Sequence, residues 1–127
     1  MSAPVTSAQM RRNYLSGNID WVWRMLLQGR DHLRLVLASG DQDLVDAWEA
    51  EPGSVGTEGW DALLAALSRH EFTLADVEPP GWTVTDPLAE PWMPAHAFLD
   101  DGSVQAQTPE WLRELNIYVP ERDLVTA

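Results

Sequence analysis

The side chains best suited to chemistry in this chain are His70 and the adjoining Glu71, with His96 and the pair Asp100 and Asp101 downstream. Imidazole and carboxylate together can ligate a divalent metal or move a proton. A zinc helix of the metalloprotease type needs two histidines at i and i+4 around a glutamate, so that both nitrogens face one ion. Leu74 occupies the i+4 position here, so the pattern is not met. A histidine beside an apolar helix face more commonly packs and hydrogen-bonds a carbonyl than binds metal, and His70 reads that way. His32, flanked by Asp31 and near Arg34, reads as a surface residue.

Other chemistries leave fewer traces. The absence of cysteine removes disulfides, thiolate metal sites and cysteine nucleophiles. Ser39-Gly40 and the stretch from Gly53 to Gly56 lack the lysine and spacing of a phosphate loop, and no nucleophile elbow appears. Twenty carboxylates offer acid and base candidates, but none stands in visibly apolar surroundings that would mark a shifted pKa. No cofactor or metal is expected. Arg11, Arg12, Arg24, Arg30 and Arg34 could form a modest nucleic-acid stripe, yet no helix-turn-helix or aromatic cluster accompanies them.

Seven tryptophans are the most unusual feature. Such rings serve a small core well, and they are also the residue type most typical of binding hot spots. Trp21 lies off the face set by Trp23 and Leu26, and Trp92 lies between prolines, so these two are the expected exposed contacts. Asp100 and Asp101 join them as the acidic part of a partner-binding surface.

The elements that must position these groups centre on Trp60 to Leu74. Apolar residues at Trp60, Leu63, Leu64, Leu67 and Leu74 trace one face of an α-helix, and His70 falls about 20° from Leu63. Thr57 offers its N-cap, with Glu58 and Asp61 in the first turn. Residues 1–8 are small and polar and are expected to be flexible; a short helix is expected from Gln9 to Leu15. Ile19, Val22, Trp23 and Leu26, then Leu33, Val36 and Leu37, share a second helical face that passes through Gly29. One long helix and two helices broken near Gly29 both satisfy it, and a short strand over Leu33 to Leu37 is a third option. Asp41 can cap a third helix burying Leu44, Ala47 and Trp48.

Prolines 79, 80, 87, 91 and 94 exclude regular helix in their stretch. The expectation for residues 75–107 is an extended Pro/Trp-rich segment covering the helical core of residues 9–74. Its anchors would be Trp82, Leu88, Trp92 and Phe98, with a β-like piece at Trp82 to Thr85. Thr108-Pro109-Glu110 reads as cap and helix start, leading through Trp111, Leu112 and Leu115 to an end near Asn116. Ile117 to Val119 reads as a short strand or extended run, and Glu121 to Val125 as a terminal turn. One mostly α domain over residues 1–127 results.

Net charge is −12, divided as +3 over residues 1–40 and −15 over residues 41–127. An acidic body repels nucleic acid and membrane surfaces and attracts basic partners. No apolar run has the roughly 18 residues that would read as a membrane span, and the N-terminal stretch is not built as a secretory signal. A cytoplasmic protein is expected.

Three pieces, Trp60-Asp61-Ala62-Leu63-Leu64-Ala65-Ala66-Leu67 with His70, Pro79-Pro80-Gly81-Trp82, and Asn116 to Leu124, carry a resemblance. Residues 57–127 resemble the C-terminal segment of actinobacterial antitoxin-like regulators that accompany nucleotidyltransferase-type toxins. The resemblance implies toxin neutralisation by partner binding, with no catalytic residue in the shared pieces. A helix-turn-helix often precedes that segment, and residues 1–56 do not resemble one. The function expected is a non-enzymatic acidic protein-binding module for a basic partner, possessing no nucleic-acid or membrane role. The alternative is a small enzyme or ligand-binding domain using a pocket of His70, Glu71 and His96.

Overall fold

The computed structural model describes residues 1–94 and 101–125, with the backbone alone at 101. Among these residues six helices form: α1 (Ala3–Leu15), α2 (Ile19–Ser39), α3 (Gln42–Glu49), α4 (Glu58–Leu74), α5 (Asp101–Gln107) and α6 (Glu110–Arg113). Two 3₁₀ turns occupy Gly81–Thr83 and Glu121–Leu124. No strand forms among the described residues; an isolated parallel bridge joins Trp92 and Ile117. The fold is mostly α, as the helical spacings imply.

Residues 1–8 correct an expectation. Ser2 Oγ accepts the amide of Val5 at 3.2 Å and Pro4 sits in the first turn, so α1 begins at Ala3. Small polar composition hid this start, because its burial comes from distant elements: Ala3 packs with Leu33, Val36, Val45, Trp48 and Phe72, and Thr6 meets α2 at Gly29. A Cβ on Gly29 would lie 2.5 Å from Thr6 Cγ2, so only glycine admits this crossing. That resolves α2 as one helix through Gly29, without a break and without a strand at Leu33 to Leu37.

α4 is central. Thr57 caps it, accepting the Trp60 amide at 3.4 Å, and Asp61 ties down the preceding loop by accepting Ser54 Oγ and the Val55 amide. Burial extends from Gly59 and Trp60 through Ala62 to Ser68, then to Glu71 and Phe72, so neighbours surround the helix rather than one side of it. Leu74 departs from its expected place: it is 67% exposed. The helix ends where Asp76 turns left-handed at φ 58° and the Val77 amide reaches back to the Phe72 carbonyl. In α3 the buried pair is Val45 and Trp48, with Leu44 outward, because Asp41 caps at Asp43 and Leu44 and sets the helix phase.

Beyond α4 the chain makes a 3₁₀ turn at Gly81–Thr83, where a β-like piece was expected. Trp82 donates its Nε1–H to the Trp48 carbonyl at 3.0 Å. Residues 88–92 then run beside residues 115–118: the Leu88 amide donates to Leu115, Trp92 to Asn116 and Tyr118 to Trp92. Asp101–Gln107 is helical where an extended chain was expected, since the prolines end at 94. Thr108 does not cap α6. Its hydroxyl is buried and donates to the Val104 carbonyl, closing α5 instead. Asn116, at φ 63°, ends the α6 region by letting the Ile117 amide reach the Leu112 carbonyl. Phe98, an expected anchor, lies outside the described residues.

Candidate functional site

The C-terminal half of α4 presents His70 to α6, and there the imidazole lies flat on Trp111. The ring centroids are 4.0 Å apart and the planes differ by 8°. This plate separates two clefts. The larger, about 340 Å³, is bounded by Arg69, His70 and Thr73 of α4, by Thr83 to Thr85, and by Trp111, Glu114 and Leu115. The smaller, about 170 Å³, is bounded by Arg30 and Arg34 of α2, by His70, Glu71 and Leu74, and by Glu121, Leu124 and Val125 of the terminal turn.

His70 and Glu71 are neighbours in the chain but have separate surroundings. Glu71 is buried, and its Oε1 accepts from Arg34 Nε at 2.7 Å and also from Nη2. His70 is half-buried against Trp111; loss of hydration holds its pKa below the ordinary imidazole value. Glu71 pulls the other way, and Arg34 and Arg30 add to the depression. The ring is therefore neutral near pH 7, which suits a stacked wall. Arg69 Nη1 donates to Thr83 Oγ1 at 3.4 Å, while that hydroxyl donates to the Pro80 carbonyl. The Thr83 hydrogen is thus committed away from His70. The arrangement offers a flat aromatic wall, aliphatic edges and fixed charges. Among the described residues no group of three or more histidines and carboxylates could hold a metal.

Of the expected contacts, Trp21 is 45% exposed on α2, with the Arg24 guanidinium 5.1 Å from its ring centroid. Trp92 is a correction. It packs edge-on against Trp60 at 5.3 Å, and a Cβ on Gly59 would lie 2.2 Å from its Cε2, so the indole occupies a seat that glycine leaves open. Proline flanks suggested exposure, but the carbonyl and amide of Trp92 are held by the run after α6. Asp100, His96 and the Asp101 side chain lie outside the described residues, so of the alternative pocket only His70 and Glu71 are placed, both on the smaller cleft.

His32 is half-buried rather than on the surface, its Nε2 shielded and without a hydrogen-bond partner, and desolvation lowers its pKa. The arginine stripe is dispersed: Arg30 is buried and donates to the Leu124 carbonyl and to Asp31, Arg34 serves Glu71, and Arg11 reaches the Ser54 carbonyl. Trp111 and Arg34 are the site residues that sequence reasoning missed. Nothing local marks them, because their partners lie far away in the chain.

No family model matches this chain, and no curated protein or solved structure is similar to it. No helix among the described residues is long and apolar enough to cross a membrane.

Proposed function

We propose that this chain is a non-enzymatic acidic module that binds a basic protein. Residues 41–51 carry the reading: Asp41, Asp43, Asp46, Glu49 and Glu51 are all exposed on and beside α3, with no basic residue among them and Leu44 outward in their midst. Such a surface raises the encounter rate with a positive partner and rejects like-charged ones. The resemblance of residues 57–127 to antitoxin-like regulators supports a nucleotidyltransferase-type toxin as that partner, its cleft being basic. Trp21 is a further contact, and the Pro/Trp-rich segment acts as a cover on α4, with Trp92 as its anchor rather than as a contact.

Co-expression with the product of the adjacent gene tests the reading. The tagged chain should bring that product down at low salt and release it progressively as salt rises. Elution of the chain alone at low salt, with the product present and folded, would remove the proposal.

A further inference from the structure

We infer that the cleft between the N-terminal half of α4 and residues 82–89 receives an arginine side chain from a basic segment of the partner protein. The inference rests on the reading of the chain as a binder of a basic protein, and it adds the place and the side chain recognised. This cleft is about 490 Å³, larger than either beside His70, and Glu58, Asp61 and Asp86 line it. None of the eight arginines does, and the chain has no lysine. Arg69 and Arg11 come no nearer than Thr83 and Ser54, where each donates to an oxygen. The charge within the cleft is therefore of one sign. Asp61 is committed to Ser54 and Val55 in the loop before α4, whereas Glu58 and Asp86 are exposed and enter no ion pair among the described residues.

The walls decide which cation fits. A metal ion needs its ligands gathered on one point, and among the described residues no three histidines or carboxylates are gathered in that way. Carboxylates set apart along a cleft suit a longer cation. Trp82 supplies an indole wall, fixed by its Nε1–H on the Trp48 carbonyl at 3.0 Å, and Val84 and Leu88 supply aliphatic ones. A guanidinium stacks on an indole face while bonding carboxylates in its own plane, and its methylene stem covers aliphatic surface. An ammonium, a strongly hydrated point charge, makes less use of such walls. Val84 is 65% exposed, so an apolar neighbour of the arginine has a place to rest, which a free polyamine would leave open to water.

The probe is a capped synthetic peptide of alternating arginine and leucine, titrated into the full chain, with a citrulline peptide of the same shape and no charge beside it. Binding is followed by calorimetry and by the indole N–H signals in NMR spectra. The Trp82 signal should move with the arginine peptide and stay in place with the citrulline one. Glu58→Gln combined with Asp86→Asn should weaken binding by roughly tenfold or more. Val84→Ser should weaken it by about threefold through lost apolar contact. Asp20→Asn combined with Glu110→Gln removes the same charge elsewhere on the surface and should change affinity by less than about twofold. All five positions are exposed, and circular dichroism confirms that each variant folds. The arginine site is overturned if the two acid-to-amide pairs weaken binding equally, because net charge alone would then account for it. It is equally overturned if the arginine peptide does not bind, if the citrulline peptide binds as tightly, or if spermidine displaces the arginine peptide at equal concentration. Co-purification of the adjacent gene product is a separate measurement, so the wider reading can survive the loss of this cleft.

Discussion

His70 stands under two opposed influences. Burial against Trp111 favours the neutral ring, whereas a protonated ring on an indole face would gain about 0.5–1 kcal/mol of cation–π attraction where water still reaches. Desolvation is the largest cause of the shift, opposed by Glu71 and aided by Arg34 and Arg30, so the folded-state pKa lies below the unfolded value. A depressed pKa means that the unfolded chain binds the proton more readily. Its contribution to stability is therefore whole above the unfolded value of about 6.5 and is lost as pH falls through the folded value. His32 shifts in the same direction through desolvation and adds to the same acid limb. The expected result is a melting temperature level above neutrality that declines below about pH 6.5, with the His70 ring signal titrating below that value in NMR spectra. A midpoint above it would mean that attraction to Trp111 outweighs desolvation, and the neutral-wall description would fail.

At the scale of elements, the crossing of α1 over α2 at Gly29 is the most exacting contact. Alanine favours a helix interior over glycine by about 0.8–1 kcal/mol, so Gly29→Ala would stabilise an isolated α2. In the folded chain the new methyl meets Thr6 Cγ2 at 2.5 Å, so Thr6 or the helix that carries it must shift. Overpacking of this kind costs about 1–3 kcal/mol, so the net expectation is a lower urea midpoint. A raised midpoint would show that α1 yields freely and that its buried start matters little. The same crossing shows what is legible locally and what is not. Thr57 as cap, the burial of Trp60, Leu63, Leu64 and Leu67, and the turn after Pro120 follow from neighbours in the chain, and each was readable from spacing. The start of α1, the seat of Trp92 on Gly59 and the outward turn of Leu74 depend on which elements meet, a question periodicity does not address. The site divides likewise: His70 was visible as a polar group beside an apolar face, but its stacking on Trp111 and the pairing of Arg34 with Glu71 are products of tertiary packing.

For the whole molecule, the −15 carried by residues 41–127 sets stability against association. Repulsion among exposed carboxylates raises the free energy of the folded state, and salt screens it, with a Debye length falling from about 10 Å at 0.1 M to about 3 Å at 1 M. The melting temperature should therefore rise with sodium chloride over that range. Glu49 also faces the negative end of the α3 dipole, at the last residue of the helix. Glu49→Gln with Glu51→Gln should consequently raise the melting temperature at low salt, and the gain should shrink as salt screens the parent chain. Thermal scans of parent and variant at both salt concentrations decide the point: if salt lowers the parent's melting temperature, attractive pairs such as Arg34 with Glu71 dominate the electrostatics and the acidic surface carries no such cost.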